Sequence, residues 1–495
     1  RRAELVCRVA ASLPGGNLVN PELENFLLEH GKRITANAKS WDWGDCPPPT
    51  GLPGTKSILH VATTVYGSGG HSRVIGSWIE LDRDSHHSLA LTDQDRAVPG
   101  WLEGVVAESG GSVVDLRRFG GFADRAAALS SLAGAGFDVV VVHHHPWDVV
   151  PLLAFAGPSP PIAVFDHADH LFWVGAAVCD LLVVLRSHAE RYGRIARQAR
   201  ECLEVPLPVS ERFFTHPSRS EGRRRIGVDA STPVLVSIGS EPKYLPNQSQ
   251  DFFASCSKLL ERLPSAHVFV VGVPPSSQVV PSERRHDRLH LLGRVDDPGE
   301  YLAAADLFLD PFPGGAVVAC LEACLSGVVP IMSPYRESEL FLFDDPCITE
   351  SIEPPSDEAD WVEQAVGLIQ DDERRGLIAR EIQARVRSRH SSEEWGRCAE
   401  EVYAAAQAAG HKPDGLAGEG DPAFIVDHAW IGSSRFCVWG VNSMRSLLLT
   451  HGSRYGVRDR AAILVKALRM GELRIGKGDF TLLARKLLDF FRKRG

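Results

Sequence analysis

Hydrophobic positions in this chain form two series of short apolar, β-branched runs, each alternating with segments of helical periodicity. The first series predicts strands at 58–65, 87–91, 112–116, 139–142, 162–165 and 181–185. The last three runs are apolar on both faces, as strands of a parallel sheet covered by helices are. Because helical patterns such as 73–80 and 123–132 lie between the runs, the series predicts βαβ units in a doubly wound sheet.

The pattern is interrupted at residues 205–208, where two prolines one residue apart favour an extended connector. A second series then predicts strands at 234–238, 267–271, 289–292, 307–309 and 328–332, and helices at 250–263, 299–305, 317–326 and 361–369. Further helical patterns from 371 to 407 are expected to close this second unit. The fold class predicted is therefore α/β, with tandem domains at 56–207 and 208–410.

The two ends of the chain lie outside this alternation. Residues 1–55 predict a helical lead-in, followed by a linker rich in proline and glycine. Residues 411–495 predict an appendage, which from Arg454 onward has twelve Lys or Arg against four Asp or Glu. A solvated helix face packed on the core explains this basic tail, and amphipathic attachment to an anionic membrane surface is the alternative.

Composition excludes several classes of protein. A chain of 495 residues exceeds one hydrophobic core, and its formal charge of −10 argues against a dedicated nucleic-acid binder. No signal-peptide run or stretch of 18 apolar residues is present, which favours a cytoplasmic protein. Ten cysteines without a CxxC pattern favour reduced thiols and no structural zinc.

A glycine-rich turn, residues 67–73 (GSGGHSR), follows the first predicted strand and precedes a helix. Here Gly69 and Gly70 would let backbone N–H groups approach a phosphate at the helix N-terminus. The dinucleotide fingerprint needs a glycine where this chain has Ser72, so a dehydrogenase is not indicated. A turn without a ligand is the alternative interpretation.

Polar residues 166–170 (DHADH) follow the fifth predicted strand, and the carboxyl ends of strands are where doubly wound sheets bind ligands. Side chains there can bind sugar hydroxyls or act as a general base, and the candidates are His167, Asp169 and His170. Metal binding and a purely structural loop are the alternatives. The triple His143–His145 ends the preceding strand, either on the same rim or as a solvated cluster.

The second domain has its own candidate loops at strand ends. Lys243 follows the first strand, where its compact ammonium suits a diphosphate. The pair Gly314-Gly315 precedes a helix whose N-terminus can receive a phosphate. Glu322, two turns into that apolar helix, needs a partner, and a ribose diol offers two O–H donors. Pairing of Glu322 within the protein is the alternative.

Together these residues resemble the GT-B glycosyltransferases, whose donor-domain signature is similar to residues 291–295, 302–309 and 321–330. The resemblance covers about residues 57–408. It implies two Rossmann-like domains facing a cleft, in which the protein moves a sugar from a nucleotide-sugar, above all a UDP-sugar, to an acceptor. The acceptor, whether glycan, lipid-linked sugar, peptide or small molecule, is not specified.

Two relatives within this superfamily compete. The retaining family of sucrose synthase and lipopolysaccharide transferases is similar at Gly69-Gly70, His167 and Glu322, but Gly314 stands where its first glutamate belongs. The inverting protein O-GlcNAc transferases have a similar loop lysine at Lys243, but their threonine-rich phosphate loop is not found at 315–317. The resemblance therefore leaves the stereochemistry open.

The resemblance also implies residue roles. Lys243 and Gly314-Gly315 would hold the diphosphate, Glu322 the ribose, and the backbone at Arg294 and Val295 the base. The sugar and acceptor would meet His71, His167, Asp169 and His170. An inverting reaction would need His71 or His167 to take the acceptor proton. No metal or other cofactor is implied, because cationic side chains and helix dipoles neutralise the leaving diphosphate.

Other functions remain compatible with the same fold. An inactive scaffold or partner subunit is one, since the carboxylate expected at the Gly314 position is missing. A nucleotide-sugar epimerase or a phosphorylase is another.

Overall fold

The computed structural model describes residues 2–12, 18–36, 41, 54–67, 69–169, 171–213, 217–246, 250–295, 297–334, 345–391 and 394–417. His170, the prolines at 47–53 and the basic tail, all of which carried predictions, lie outside these residues.

The first sheet has seven parallel strands in the order β3-β2-β1-β4-β5-β6-β7. Its strands are β1 (Lys56–Ala62), β2 (Ser85–Leu91), β3 (Val113–Asp115), β4 (Val139–His143), β5 (Ile162–Phe165), β6 (Leu181–Val184) and β7 (Glu201–Glu204). The apolar runs predicted the first six. The seventh, Glu-Cys-Leu-Glu at the sheet edge, was not predicted, because it is partly exposed and has no apolar run.

The second sheet has five parallel strands in the order β10-β9-β8-β11-β12. They are β8 (Val234–Ile238), β9 (His267–Val271), β10 (Leu289–Gly293), β11 (Leu307–Leu309) and β12 (Val329–Ile331). The prediction of two parallel α/β sheets in tandem is confirmed. Strand order reverses beside β1 and beside β8, and ligands bind outside the carboxyl ends of strands at such switch points.

Helices cover both sheets. Those before and within the first domain are α1 (Arg2–Ser12), α2 (Pro21–Ala36), α3 (Gly70–Leu81), α4 (Gly100–Glu108), α5 (Phe122–Ala133), α6 (Val150–Ala154) and α7 (Ser187–Ala196). Those that follow are α8 (Arg219–Ile226), α9 (Phe252–Arg262), α10 (Gly299–Ala304), α11 (Val317–Leu325), α12 (Pro346–Thr349), α13 (Glu358–Gln370), α14 (Asp372–His390) and α15 (Glu394–Ala409). Within the described residues, no helix combines the length and the apolar character needed to cross a bilayer.

The helical lead-in packs on the first domain. Helix α2 contacts α5 and α6, and the buried carboxylate of Glu24 accepts backbone hydrogen bonds from Gly175 (2.7 Å) and Ala177 (3.0 Å). A Cβ on Gly31 would lie 2.5 Å from that of Ala156, so only glycine permits this helix contact.

Helix α15 packs on a different domain from the one predicted. The helical pattern up to residue 407 was assigned to the second domain, but α15 packs on β4–β7 and α3 of the first. Its Trp395 donates to the Pro206 carbonyl (2.7 Å), and its Tyr403 accepts from Trp78 (2.7 Å). The cause is that periodicity identifies an apolar helix face without identifying the sheet which that face covers.

Candidate active site

A cleft with a volume of about 1020 Å³ lies between the carboxyl ends of the two sheets. Residues from both domains line it, so the cleft joins loops that are far apart in the sequence. The lining includes eleven of the twelve predicted site residues: Gly69, Gly70, His71, His167, Asp169, Lys243, Arg294, Val295, Gly314, Gly315 and Glu322. The twelfth, His170, lies outside the described residues.

On the first-domain side, the N-terminus of α3 opens into the cleft. Gly69 precedes the helix with φ of 125°, a conformation that favours glycine, and no side chain caps the helix. The Ser72 hydroxyl accepts the Tyr66 N–H (2.8 Å) and so closes the turn. The first N–H groups of α3 therefore face the cleft, and no side chain in the described part of the chain caps them, which suits an anionic or hydroxyl-rich ligand.

Gly70 lies where the two domains approach each other. A Cβ built on it would be 3.1 Å from Cγ2 of Val318, at the start of α11. Glycine here permits close contact between the N-termini of α3 and α11.

Replacing Gly70 with valine is therefore expected to hold these helix termini apart and to lower kcat/KM at least 10-fold, since misplacement by about 1 Å costs up to 100-fold. The second substitution Val318→Ala, which removes the obstructing methyl groups, should restore part of the loss. Steady-state kinetics of the single and double variants test this, and full activity of Gly70→Val would contradict it.

On the second-domain side, Lys243 and the loop before α11 form one unit. The half-buried Lys243 ammonium donates to the carbonyl of Gly315, and the Lys243 carbonyl accepts the Gly314 N–H (3.1 Å). Asp310 holds the same loop by accepting the Ala316 N–H (2.8 Å). Burial lowers the pKa of Lys243, partly offset by the charge of Asp310. The site therefore places a cation, with little solvation, against a glycine-rich loop.

The N-terminus of α11 completes this side. No side chain caps the helix at Ala316, and its first turn contains no acidic residue. Two helix N-termini, α3 and α11, therefore meet at the cleft together with Lys243, and each favours negative charge.

Glu322 lines the cleft from the second turn of α11 and is 7% exposed. Burial raises its pKa to about 7, while Arg73 acts to lower it and Asp297 to raise it further. The described residues give its carboxylate no hydrogen bond, which leaves it able to bind a ligand diol.

The two ring nitrogens of His71 differ, because one has a hydrogen-bond partner among the described residues and the other does not. Its Nε2 lies 2.6 Å from the carbonyl oxygen of His143, which can only accept, so Nε2 carries the proton. Its Nδ1 is buried and has no partner among the described residues. Burial lowers the pKa of His71 to about 4, which keeps the ring neutral with a free lone pair.

His167 lies beside it, with ring centroids 4.5 Å apart. Its Nε2 is 3.1 Å from Nδ1 of His143, and burial holds its pKa well below the ordinary value. The neighbouring His144 and His145 also line the cleft. Two members of the histidine triple, His144 and His145, thus lie on the same rim, whereas His143 is buried below it.

The carboxylates near these histidines are already paired. Asp169 forms an ion pair with Arg186, and Asp166 lies 3.3 Å from Arg197 and accepts from the Trp173 indole (3.0 Å). These pairs leave the neutral histidines as the groups better placed to accept a proton on this side.

Several features of the site were not predicted. Arg186 acts through Asp169, 17 residues away, which no local pattern indicates. His60 and His87 lie inside strands, where sequence alternation does not distinguish a functional side chain from a core one. Among the described residues, Asp345, Cys347 and His390 form one group with metal-ligand proximity. In this group His390 Nδ1 lies 2.8 Å from the Leu207 carbonyl oxygen, and His390 Nε2 lies 3.0 Å from Oδ2 of Asp345. Both ring nitrogens therefore have protein partners, and we interpret the group as structural.

Comparison with known proteins agrees with this geometry. Residues 232–371 match the sequence model of the family Glycosyl transferases group 1. An O-GlcNAc transferase from Thermobaculum terrenum is similar in structure, with 15% identity, a TM-score of 0.52, and coverage of 82% of this chain and 77% of that one. Comparison with curated protein sequences gave no match.

Two further structures are similar over most of this chain. Anabaena HepE in complex with UDP and glucose has 15% identity and a TM-score of 0.53, with coverage of 71% of this chain and 100% of that one. WaaG, a glycosyltransferase involved in lipopolysaccharide biosynthesis, has 14% identity and a TM-score of 0.50, with coverage of 70% and 99%.

The chain therefore has the GT-B fold, with its candidate site in the cleft between two Rossmann-like domains. Its second domain is similar to the group 1 glycosyltransferases, and the predicted resemblance to GT-B glycosyltransferases is confirmed. The findings support a glycosyltransferase as the general class.

Proposed function

We propose that the protein transfers a sugar, a hexose in the simplest case, from a UDP-sugar to an acceptor bound against the first domain. The observation that carries this proposal is the convergence of two uncapped helix N-termini and the half-buried Lys243 on one cleft. This arrangement favours a diphosphate whose negative charge grows as the sugar leaves. That HepE is recorded with UDP and glucose supports the choice of nucleotide and sugar.

The donor is held by the second domain in this proposal. Lys243 and the Gly314-Gly315 loop bind the diphosphate, Glu322 accepts hydrogen bonds from the ribose diol, and the backbone of Arg294 and Val295 contacts the base. No metal is required where a lysine and helix dipoles neutralise the phosphates.

The first domain carries the acceptor, and we propose an inverting reaction. Gly314 stands where a retaining relative would have a carboxylate, and Asp166 and Asp169 are ion-paired. A neutral histidine instead takes the acceptor O–H proton, the acceptor oxygen bonds to the anomeric carbon, and the bond from that carbon to the diphosphate oxygen breaks. The leaving electrons stay on the diphosphate at Lys243.

Calorimetry with UDP-, GDP-, dTDP- and ADP-sugars, followed by product analysis with an acceptor panel, tests this function. We expect the UDP-sugar to bind in the micromolar to millimolar range that is common for enzyme substrates. Binding of none of the four sugars would contradict the proposal. Binding without transfer would favour an inactive scaffold, and a new sugar formed without acceptor would favour an epimerase.

Glu322→Gln is expected to have opposite effects on binding and stability. Loss of a charged acceptor should weaken UDP binding about 10-fold, since hydrogen bonds to charged groups contribute about 1.5–3 kcal/mol. The pKa of Glu322 is about 7 in the folded chain, above its ordinary 4.5, so wild-type stability falls as pH rises from about 4.5 to 7. The glutamine variant cannot ionise at this position, so its free energy of unfolding at pH 8 should exceed that of wild type by up to about 3 kcal/mol.

Urea unfolding at several pH values measures the second effect, and the difference should disappear near pH 4.5. The exposed Glu401→Gln on α15 is the matched control and should show neither effect. Equal stability of Glu322→Gln and wild type at every pH would contradict the assignment of Glu322 as a buried carboxylate left free for a ligand.

A further inference from the structure

A row of four histidine rings leads from the cleft into the core of the first domain. His167 Nε2 lies 3.1 Å from His143 Nδ1, and His143 Nε2 lies 3.0 Å from His60 Nδ1. His60 Nε2 lies in turn 3.0 Å from His87 Nδ1. His60, His87 and His143 are fully buried. The row, here called the imidazole chain, is therefore continuous through both nitrogens of its inner rings.

Strand register places these rings in line. His87 on β2 pairs with Ile58, two residues before His60 on β1. His60 pairs with Val141, two residues before His143 on β4. Each step thus moves one strand across the sheet and two residues along it, which keeps every ring on the same face. His167, just after β5, is the next position on this diagonal, since Val142 pairs with Val164.

The imidazole chain ends at a buried carboxylate. His87 Nε2 lies 3.1 Å from the Asp82 carbonyl oxygen and 3.3 Å from Oδ2 of the same residue. Tyr403 on α15 donates to that Oδ2 (2.7 Å). Burial acts to raise the pKa of Asp82, but its interactions with His87 and Tyr403 outweigh burial, and the pKa lies below its ordinary value. Asp82 is therefore an anion at neutral pH.

This anchor decides where every proton of the chain lies. His87 Nε2 faces only acceptors, so it carries hydrogen, and in the neutral form of this ring Nδ1 then accepts from His60 Nε2. The same rule applied twice more places hydrogen on Nε2 of His143 and of His167. Burial holds the pKa of His60, His143 and His167 well below the ordinary value, so each of these rings carries one hydrogen only.

We propose that the imidazole chain, anchored at Asp82, fixes His167 with a bare Nδ1 and so makes it the general base that takes the acceptor proton. His143, His60 and His87 are positioning residues, and the proposal rests on the proposed transfer reaction. His71 also has a bare Nδ1, but its Nε2 ends at a neutral carbonyl. Of these two rings, His167 is the one that connects its new positive charge to an anion.

The proton balance is simple. The acceptor O–H bond breaks and its hydrogen bonds to His167 Nδ1, which makes that ring a cation. Hydrogen bonds along the chain then stabilise this cation, because His167 Nε2–H donates to His143 and each ring donates to the next, until His87 donates to Asp82. Proton release from Nδ1 after product departure restores the starting arrangement.

Nitrogen NMR of the protein labelled with ¹⁵N in histidine tests the arrangement without any substrate. We expect His60, His87, His143 and His167 to be Nε2–H tautomers in the free protein at pH 7.5. An Nδ1–H tautomer of His167 would overturn the proposal. Because this measurement needs no activity, it separates failure of the imidazole chain from failure of the transfer reaction.

Substitution of the anchor tests the consequence. Asp82→Asn removes the anion but keeps the backbone carbonyl that accepts from His87 Nε2–H, so the tautomers should not change. The His167 cation then lacks a charged partner at the inner end of the chain, and we expect kcat to fall about 10-fold or more with donor affinity unchanged. An unaltered kcat in a folded Asp82→Asn would overturn the proposal.

Matched controls separate this effect from loss of structure. His290→Phe breaks a similar histidine pair on the second sheet, where His267 Nδ1 lies 2.8 Å from His290 Nε2, and should leave kcat unchanged. Tyr403→Phe removes one donor to Asp82 and keeps the chain, so kcat should fall less than 10-fold. If Asp82→Asn does not fold, His60→Phe replaces it, and a loss of kcat no larger than that of His290→Phe would overturn the proposal.

Discussion

Lys243→Met should reduce kcat/KM for the nucleotide-sugar by about 100- to 1000-fold, the usual loss on removing one group that stabilises the charge of a transition state. Methionine keeps the length and apolar stem of lysine but lacks its charge. The half-buried ammonium of Lys243 is the cation that the structure places against the Gly314-Gly315 loop. Its loss should weaken binding of UDP and also slow departure of the diphosphate.

Initial rates and calorimetry with UDP measure these two effects separately. Lys258→Met, on the exposed face of α9, is the matched control and should bind and react as wild type. Because Lys243 also donates to the Gly315 carbonyl, its loss could change the stability of the fold. Thermal unfolding of each variant is therefore measured together with its kinetics. A folded Lys243→Met with unchanged affinity and rate would remove Lys243 from the donor site.

His167→Ala should lower kcat by about 100- to 10,000-fold, the contribution of a positioned general base. Donor affinity should change only a few-fold, because the diphosphate and ribose contacts lie on the other domain. The comparison with His71→Ala is informative, because the two rings are neighbours with centroids 4.5 Å apart.

Kinetics and UDP calorimetry of both variants provide the measurement. A large loss of kcat in His71→Ala with little change in His167→Ala would assign proton removal to His71 instead. Little change in either would contradict a histidine base and, with it, the inverting form of the proposed reaction.

The sequence predicted the strands that form the core of both sheets. Runs such as 162–165 and 181–185 are apolar on both faces, and this local property is enough to identify the buried strands β5 and β6. It did not predict β7, whose polar edge position gives no local signal, or the place of α15, which depends on tertiary packing.

In the candidate site, too, local sequence patterns predicted some features, and others depend on how distant segments pack. Lys243 and His167 lie where strand ends were predicted, and parallel topology alone brings such loops to one edge. The imidazole chain could not be predicted, because it depends on the register between β2, β1 and β4. Register joins positions 27 and 83 residues apart, and nothing within any one strand encodes it.

The return of α15 to the first domain has a consequence for the order of synthesis. The sheet begins at Lys56, but the helix that covers β4–β7 and supplies Tyr403 ends at Ala409. A ribosome must therefore complete the entire second domain before the first can bury Trp78 and close around Asp82. The first domain is translated before the second but is completed after it, and the nascent chain must carry an uncovered sheet surface for about two hundred residues of elongation.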